Sequence, residues 1–298
     1  MIENPPGSFV EKIFTDLRNE IILRCDLLGH INVTTKDNIK RFKHTLENVQ
    51  TLDANNTSPI TCGTTLANYT CSNPYTGSTF GIGYTRTDLS EKIKLCEVLK
   101  NKQYQWVITE AYELFEDYIK KIYAHTVSIH DHFWSTSEFK NVQIEQNGDM
   151  ETYYNAIKRN NKAPKKILKV FRRKLPNFRD VEINNKMGKN YRLEITLIEL
   201  LRHTIVHNAG KFTDTEKFIT KVLDESSISG KARNNGEIEI RQYIAKEKDG
   251  DIIMLLEKPS EKLGYMGWHF KKAEYLLGEI LEYSLIIKNE LIAYLDNQ

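Results

Sequence analysis

The sequence predicts a mainly α-helical fold: an up-and-down helical bundle with an N-terminal extension and an inserted β-hairpin. Three observations lead there. Apolar residues recur at helical spacing through most of the chain, one late stretch alternates with strand period, and one early stretch has few charges and many turn-forming residues. With 298 residues, 40% of them apolar and 28% charged, the chain is long enough for one large core or two modest ones.

Residues 8–30 place Phe9, Ile13, Phe14, Leu17, Ile21, Ile22 and Leu28 at helical spacing, with Ser8 as a start and Gly29 as a stop. A second short helix is expected over 36–49. Residues 51–87 are rich in Thr, Asn, Ser and Gly and read as loop or irregular β structure, closing an N-terminal segment of residues 1–87. The helical domain proper is expected over 88–298. It opens with a helix over 88–124, capped by Thr87 or Ser90, whose apolar stripe is Ala111, Phe115, Tyr118, Ile119 and Ile122. Residues 126–150 look like a connecting excursion with a turn at 147–149.

A shorter helix over 165–174 sits between Pro164 and Pro176, and another over 191–208 is stopped by Gly210. Alternation at Ile238, Ile240, Tyr243 and Ile244, then Asp-Gly, then an apolar run, predicts a hairpin over about 237–259, ended by Pro259. Residues 268–295 return to helical spacing. Trp106, Tyr112, Phe115, Phe171 and Phe178 are read as core.

Several functions are excluded or given no support. No apolar run approaches the roughly 18 residues needed to cross a bilayer, and residues 1–9 lack a basic segment followed by an apolar one. A cytoplasmic, reduced protein without membrane attachment is therefore expected. Its four cysteines, Cys25, Cys62, Cys71 and Cys96, match no zinc spacing. There is no Gly-x-Ser-x-Gly, kinase or Rossmann pattern, and GIG at 81–83 lacks a following Gly-Lys-Ser/Thr. A net charge of +2 neither requires nor excludes nucleic acid. Charge is concentrated, however: residues 158–179 hold ten Lys or Arg and no acid. Lys165, Lys166, Arg172, Arg173 and Lys174 within that run are the candidate RNA contacts.

The chemically richest stretch is RHTIVHNAG, residues 202–210. Residues five apart on a helix are separated by about 140°, so Arg202 and His207 do not share a face, whereas Glu199, His203 and His207 fall on one line. Three readings follow. One is a metal site from Glu199, His203 and His207, completed by Glu110, Glu113 or Asp117. A second is the polar end of an amphipathic helix whose apolar face is Leu193, Leu197, Leu200, Leu201 and Ile205. The third is phosphodiester cleavage, in which histidines move protons and the arginine fork stabilises charge on phosphorus. Two copies of the helix meeting would complete such a site. A further cluster, His125, His130, Asp131 and His132, offers metal ligands without a second cluster to join.

Arg202-His203-Thr204-Ile205-Val206-His207, followed by Asn208, resembles the Arg-polar-x-x-x-His signature of HEPN-domain proteins. The acidic early helix, ITEAYELFEDYIKKIY at 108–123, resembles theirs too. The likeness covers about 88–210 and the last helix; it leaves 1–87 and the hairpin unexplained. It implies a bundle that dimerises through paired motif helices. It also implies a metal-independent endoribonuclease, needing no cofactor, of the kind found in toxin–antitoxin and phage-defence systems and leaving 2′,3′-cyclic phosphate ends. In that scheme Arg202 positions phosphate, His207 transfers protons, His203 orients the pair or touches substrate, and Asn208 assists. One of Glu110, Glu113 and Asp117 supports the arginine. The resemblance equally admits a non-catalytic HEPN-like module that binds RNA, a nucleotide or a protein. An antitoxin or nucleotidyltransferase partner would be a separate chain, because this one has no Gly-Ser with Asp-x-Asp signature.

Overall fold

The computed structural model describes residues 6–55, 64–139, 148–160, 163–259 and 269–297. The chain is mainly helical with small antiparallel hairpins, as the periodicity predicts, and it divides into two compact units. The first comprises residues 1–26 and 104–298, the second residues 27–103. Helices α1 (Pro6–Asn55) and α2 (Leu89–Ile129) supply residues to both. Cys62, Asn147 and Trp268, with residues 56–63, lie outside the described residues.

The two helices expected over 8–30 and 36–49 are one. Gly29 is an interior residue of α1, because no proline or capping turn follows it to stop the backbone hydrogen bonding. Within the second unit, β1 (Thr65–Ser72) and β2 (Thr79–Thr87) form an antiparallel hairpin with a register shift at Tyr69/Thr70, in the stretch read as loop or irregular β structure. Its turn is closed by Asn73, whose Oδ1 accepts from the Tyr75 N–H at 2.8 Å. α2 is capped by Asp88 rather than Thr87 or Ser90. Asp88 Oδ1 accepts from Glu91 N–H at 2.8 Å, and Glu91 Oε2 accepts from Asp88 N–H at 2.9 Å. This reciprocal pair satisfies two otherwise orphaned donors.

The first unit holds the bundle. After α2 come a single 3-10 turn (Asp131–Phe133), α3 (Met150–Lys158), α4 (Ala163–Lys174) and the short α5 (Phe178–Val181). α6 (Tyr191–Asn208), α7 (Thr215–Glu225), α8 (Lys231–Arg241) and α9 (Lys272–Leu295) follow. Where a connecting excursion was expected, α2 continues to Ile129 and α3 forms, capped by Asp149. The stripe from Ala111 to Ile122 is buried, as are Tyr112, Phe171 and Phe178. Trp106 departs from its core assignment: it is 60% exposed on α2. Phe115 packs on Tyr283 of α9 with ring centroids 5.9 Å apart, and α6 packs on both α7 and α9.

The late hairpin is shorter than expected and starts later. Ile238 and Ile240 belong to α8, where Gly236 and Ile240 turn inward and Ile238 outward. Gly236 comes so close to α7 that an added Cβ would lie 2.9 Å from Leu223 Cδ2. The strands are β3 (Ile244–Glu247) and β4 (Gly250–Ile253), joined through Lys248–Asp249 instead of Asp-Gly. Pro259 does not end the structure; it pairs with His269 across β5 (Lys258–Pro259) and β6 (His269–Phe270).

The bundle closes on one carboxylate. Glu182, just past α5, is fully buried. It accepts from Arg172 of α4 (Nε 2.8 Å, Nη2 2.7 Å), Arg192 of α6 (Nη2 3.1 Å) and the Tyr283 hydroxyl of α9 (2.5 Å). Burial pushes this carboxyl up, but Arg172, Tyr283 and Arg192 together hold it below the ordinary range. Replacing Glu182 with Ala leaves two guanidiniums without their anion. The expected loss is about 3–5 kcal/mol in urea denaturation, and a loss under about 1 kcal/mol would contradict this account.

Lys272 is the opposite case. It is buried in the first turn of α9, where a cation opposes the helix dipole, and its Nζ donates to Met254 O at 3.1 Å. Burial, with Lys258 nearby, lowers its pKa to about 8. The folded value lies below the unfolded one, so stability is lost as pH falls from about 10.4 through 8 and stays lost below. Lys272→Met is expected to stabilise the protein by about 1–2 kcal/mol near neutral pH, with the gain vanishing above about pH 10.5. Urea melts at the two pH values check this; a destabilised variant at neutral pH would refute it.

Candidate active site

α6 forms where the sequence places it because both ends are specified. Asn190 Oδ1 caps the start by accepting from Leu193 N–H at 3.1 Å. Leu193, Leu197, Leu200, Leu201 and Ile205 are all buried against the bundle. At the end, Ala209 rather than Gly210 takes the first left-handed position (φ 52°), and Gly210 follows at φ 76° with its N–H on Thr204 O at 3.1 Å. The late hairpin clamps this end. Ile253 N–H donates to Gly210 O at 2.9 Å, and Gln105 of α2 reaches Ile253 O at 2.8 Å.

His203, His207 and Asn208 are exposed on α6, and Arg202 is half-buried. His203 and His207 lie together, their ring centroids 4.4 Å apart. Arg202 turns the other way, toward α2, and its Nη2 donates to Glu113 Oε1 at 3.0 Å. Its Nε is buried without a hydrogen-bond partner. Arg202 and His207 are thus held on different faces of one helix, as the five-residue spacing requires.

The three acids of α2 separate by partner. Glu110 lies 3.7 Å from Arg24 of α1, and Asp117 meets Lys121 at 2.7 Å and also accepts from the Tyr154 hydroxyl. Among the described residues, Glu113 is the acid that engages Arg202.

Burial lowers the His203 pKa, and the nearby charges of His207, Lys221, Arg202 and Lys165 push it the same way. The imidazole is therefore neutral near pH 7 and able to accept a proton. Glu199, one turn earlier, is not free for a metal. Lys165 of α4 binds its Oε1 at 3.0 Å and Glu225 of α7 at 2.6 Å, and burial pushes the Glu199 carboxyl up. Among the described residues no three His, Cys, Asp or Glu side chains come together as a metal-holding group. His125 instead stacks on Phe9, and His132 Nε2 hydrogen-bonds the Tyr294 hydroxyl at 2.8 Å.

The basic run does not form one uniform patch. Arg172 is committed to Glu182 inside the bundle, so it is a structural cation rather than a surface one. Arg173 contacts Ser135 and Ser137, Lys174 reaches His132 O, and Lys166 lies 5.5 Å over the Phe139 ring. Lys165 alone of the five borders the histidine side of α6. It does so through a cavity of about 310 Å³, which also receives Lys221 from α7. Lys221 was missed in the sequence because residues 211–230 read as merely polar. The spacing of Ile219, Val222 and Leu223 after an Asp214 cap is the signal that marks α7.

Comparison of the chain with protein-family models, curated proteins and solved structures finds no match.

At the end of α6 a Cβ on Gly210 would lie 2.5 Å from Gln105 Oε1, at a φ that side chains rarely adopt. Gly210→Ala is therefore expected to cost about 1–3 kcal/mol and to loosen the clamp. Thermal melting and amide exchange of the α6 C-terminus check it; unchanged exchange there would count against the clamp.

Proposed function

We propose that this protein is a metal-independent endoribonuclease of HEPN type that works as a homodimer. The observation that carries the proposal is the division of α6: a half-buried arginine braced by Glu113 on one face and a pair of contacting, exposed histidines on another, near the end of one helix. Within one chain the two halves point apart. A second copy docked against α6 would bring the Arg202 of one subunit to the His207 of the other.

The chemistry follows from those groups. A neutral histidine takes the proton of the RNA 2′-hydroxyl, and the 2′-oxygen attacks phosphorus. A protonated histidine delivers its proton to the departing 5′-oxygen. The products are a 2′,3′-cyclic phosphate and a 5′-hydroxyl end. Arg202 stabilises the charge growing on the phosphoryl oxygens, and Glu113 keeps its fork aimed. Asn208, exposed beside His207, is available to the substrate. No cofactor enters this scheme. Among the described residues no helix is long and apolar enough to cross a membrane; the proposed role is RNA cutting in the cytoplasm. That role is a toxin's or a phage-defence effector's, with any antitoxin or nucleotidyltransferase on a separate chain.

A second reading is a non-catalytic HEPN-like module for RNA, a nucleotide or a protein. It is favoured by the ion pair itself, since Glu113 occupies the fork that phosphate would need.

Incubation with mixed cellular RNA in excess EDTA separates the two. Cleavage is expected to persist in EDTA, to leave cyclic phosphate ends, and to fall by about 10²-fold or more in Arg202→Ala and in His207→Ala. Glu113→Gln should keep the fold, being an exposed pair, while slowing cleavage. Folded wild-type dimer that cuts no RNA would favour the silent module, and loss of cutting in EDTA would sink the metal-independent mechanism.

A further inference from the structure

The cavity beside the histidines has more structure than a groove for a phosphate chain requires. It encloses about 310 Å³ between α2, α4, α6 and α7, at the lower end of ligand-site volumes. Pro164 and Leu200 supply apolar wall, Glu199 and Glu116 supply carboxylates, and Lys221 and Lys165 are its cations, beside the neutral His203. Glu199 is four residues, about 6 Å of helical rise, from His203 along α6, within the reach of one nucleotide.

The polar groups are ordered. Lys165 Nζ meets Glu199 Oε1 at 3.0 Å and Glu225 at 2.6 Å. An ammonium has three donors, so one is left for a ligand. No contact engages Glu199 Oε2 among the described residues. Glu116 reaches Lys120 through Oε2 alone, at 3.5 Å. Lys165 and Glu199 therefore line the cavity as an ion pair, an ammonium donor beside the two oxygens of a carboxylate.

Guanine carries the complement on its Watson–Crick edge: the O6 acceptor, then the N1–H and N2–H donors. Adenine and cytosine offer one amino group there and uracil one imino group, so none fills both carboxylate oxygens. We infer that this cavity is the base-recognition pocket of the nuclease, taking a guanine of the RNA strand through Lys165 and Glu199. The strand's phosphates then pass Lys221 and His203 toward the cleavage site. The inference rests on the endoribonuclease reading for its RNA strand, but the pocket's preference for guanine is measurable without any cleavage.

Titration calorimetry with 5′-GMP, AMP, CMP and UMP tests it, together with an uncleavable 2′-O-methyl RNA hexamer containing one guanine or none. GMP is expected to bind about 10-fold or more tightly than the others, as bidentate base contacts do, and the guanine hexamer to outbind its control. Glu199→Gln should abolish the preference. Glu116→Gln, on a different helix, should weaken it. Lys221→Met should weaken all four nucleotides alike. Circular dichroism confirms that each variant folds.

A guanine preference in a protein that cuts no RNA would uphold the pocket while removing the nuclease reading. Equal binding of the four nucleotides overturns the inference, as does a preference that survives Glu199→Gln. Selection of GMP without selection of the guanine hexamer assigns the pocket to a free nucleotide and overturns its role in RNA.

Discussion

One buried carboxylate holds the helices that matter. Glu182 is fully buried, so its charge survives only because Arg172, Arg192 and the Tyr283 hydroxyl converge on it from α4, α6 and α9. A pair of guanidiniums around one carboxylate tolerates little displacement, because each fork has a fixed geometry. That constraint sets where α6 lies relative to α4 and α9. It fixes the start of α6, while the late hairpin and Gln105 fix its end. Arg202 on one face and His203 and His207 on another are consequently presented by a helix restrained at both ends, as a pre-organised site requires.

A second ionic link acts nearer the surface. Lys165 joins Glu199 of α6 to Glu225 of α7 and fixes one wall of the cavity beside His203. The basic run that looked like a nucleic-acid patch is thus divided: Arg172 is drawn into the bundle, while Lys165, Lys169, Arg173 and Lys174 stay at the surface. Arg172, Lys165 and Arg173 each face an acid or hydroxyl brought from elsewhere in the chain. Beside the neutral His203, Lys165 and Lys221 are the cations that line the cavity.

What could be read in advance follows from range. α6 was legible to its last residue, since its cap, its apolar face and its polar end are all local. The stripe of α2 was legible for the same reason. Gly29 misled because a glycine stops a helix only when the following residues leave it, and α1 has no such signal. The two isoleucines of EIEIR suggested a strand, yet Gly236 and Ile240 share a helix face that only the neighbouring Leu223 explains. Glu182 sits in an unremarkable Val-Glu-Ile, and its two arginines are ten residues away on either side. The choice among Glu110, Glu113 and Asp117 was likewise illegible, because it depends on which helix flanks each side of α2. Arg202 and His207 could be named as candidates from sequence; that they diverge within one chain follows from spacing, and that Glu113 braces the arginine does not.

The central claim is that Arg202 and His207 act across two copies of the chain, and subunit mixing tests it most directly. Arg202→Ala and His207→Ala are each purified, confirmed inactive and dimeric, then unfolded and refolded together. Random pairing makes half the dimers mixed, and each mixed dimer has one of its two composite sites intact. Activity should therefore return to about a quarter of wild type. No recovery in a mixture shown to contain mixed dimers would contradict the account and place any active site within a single chain.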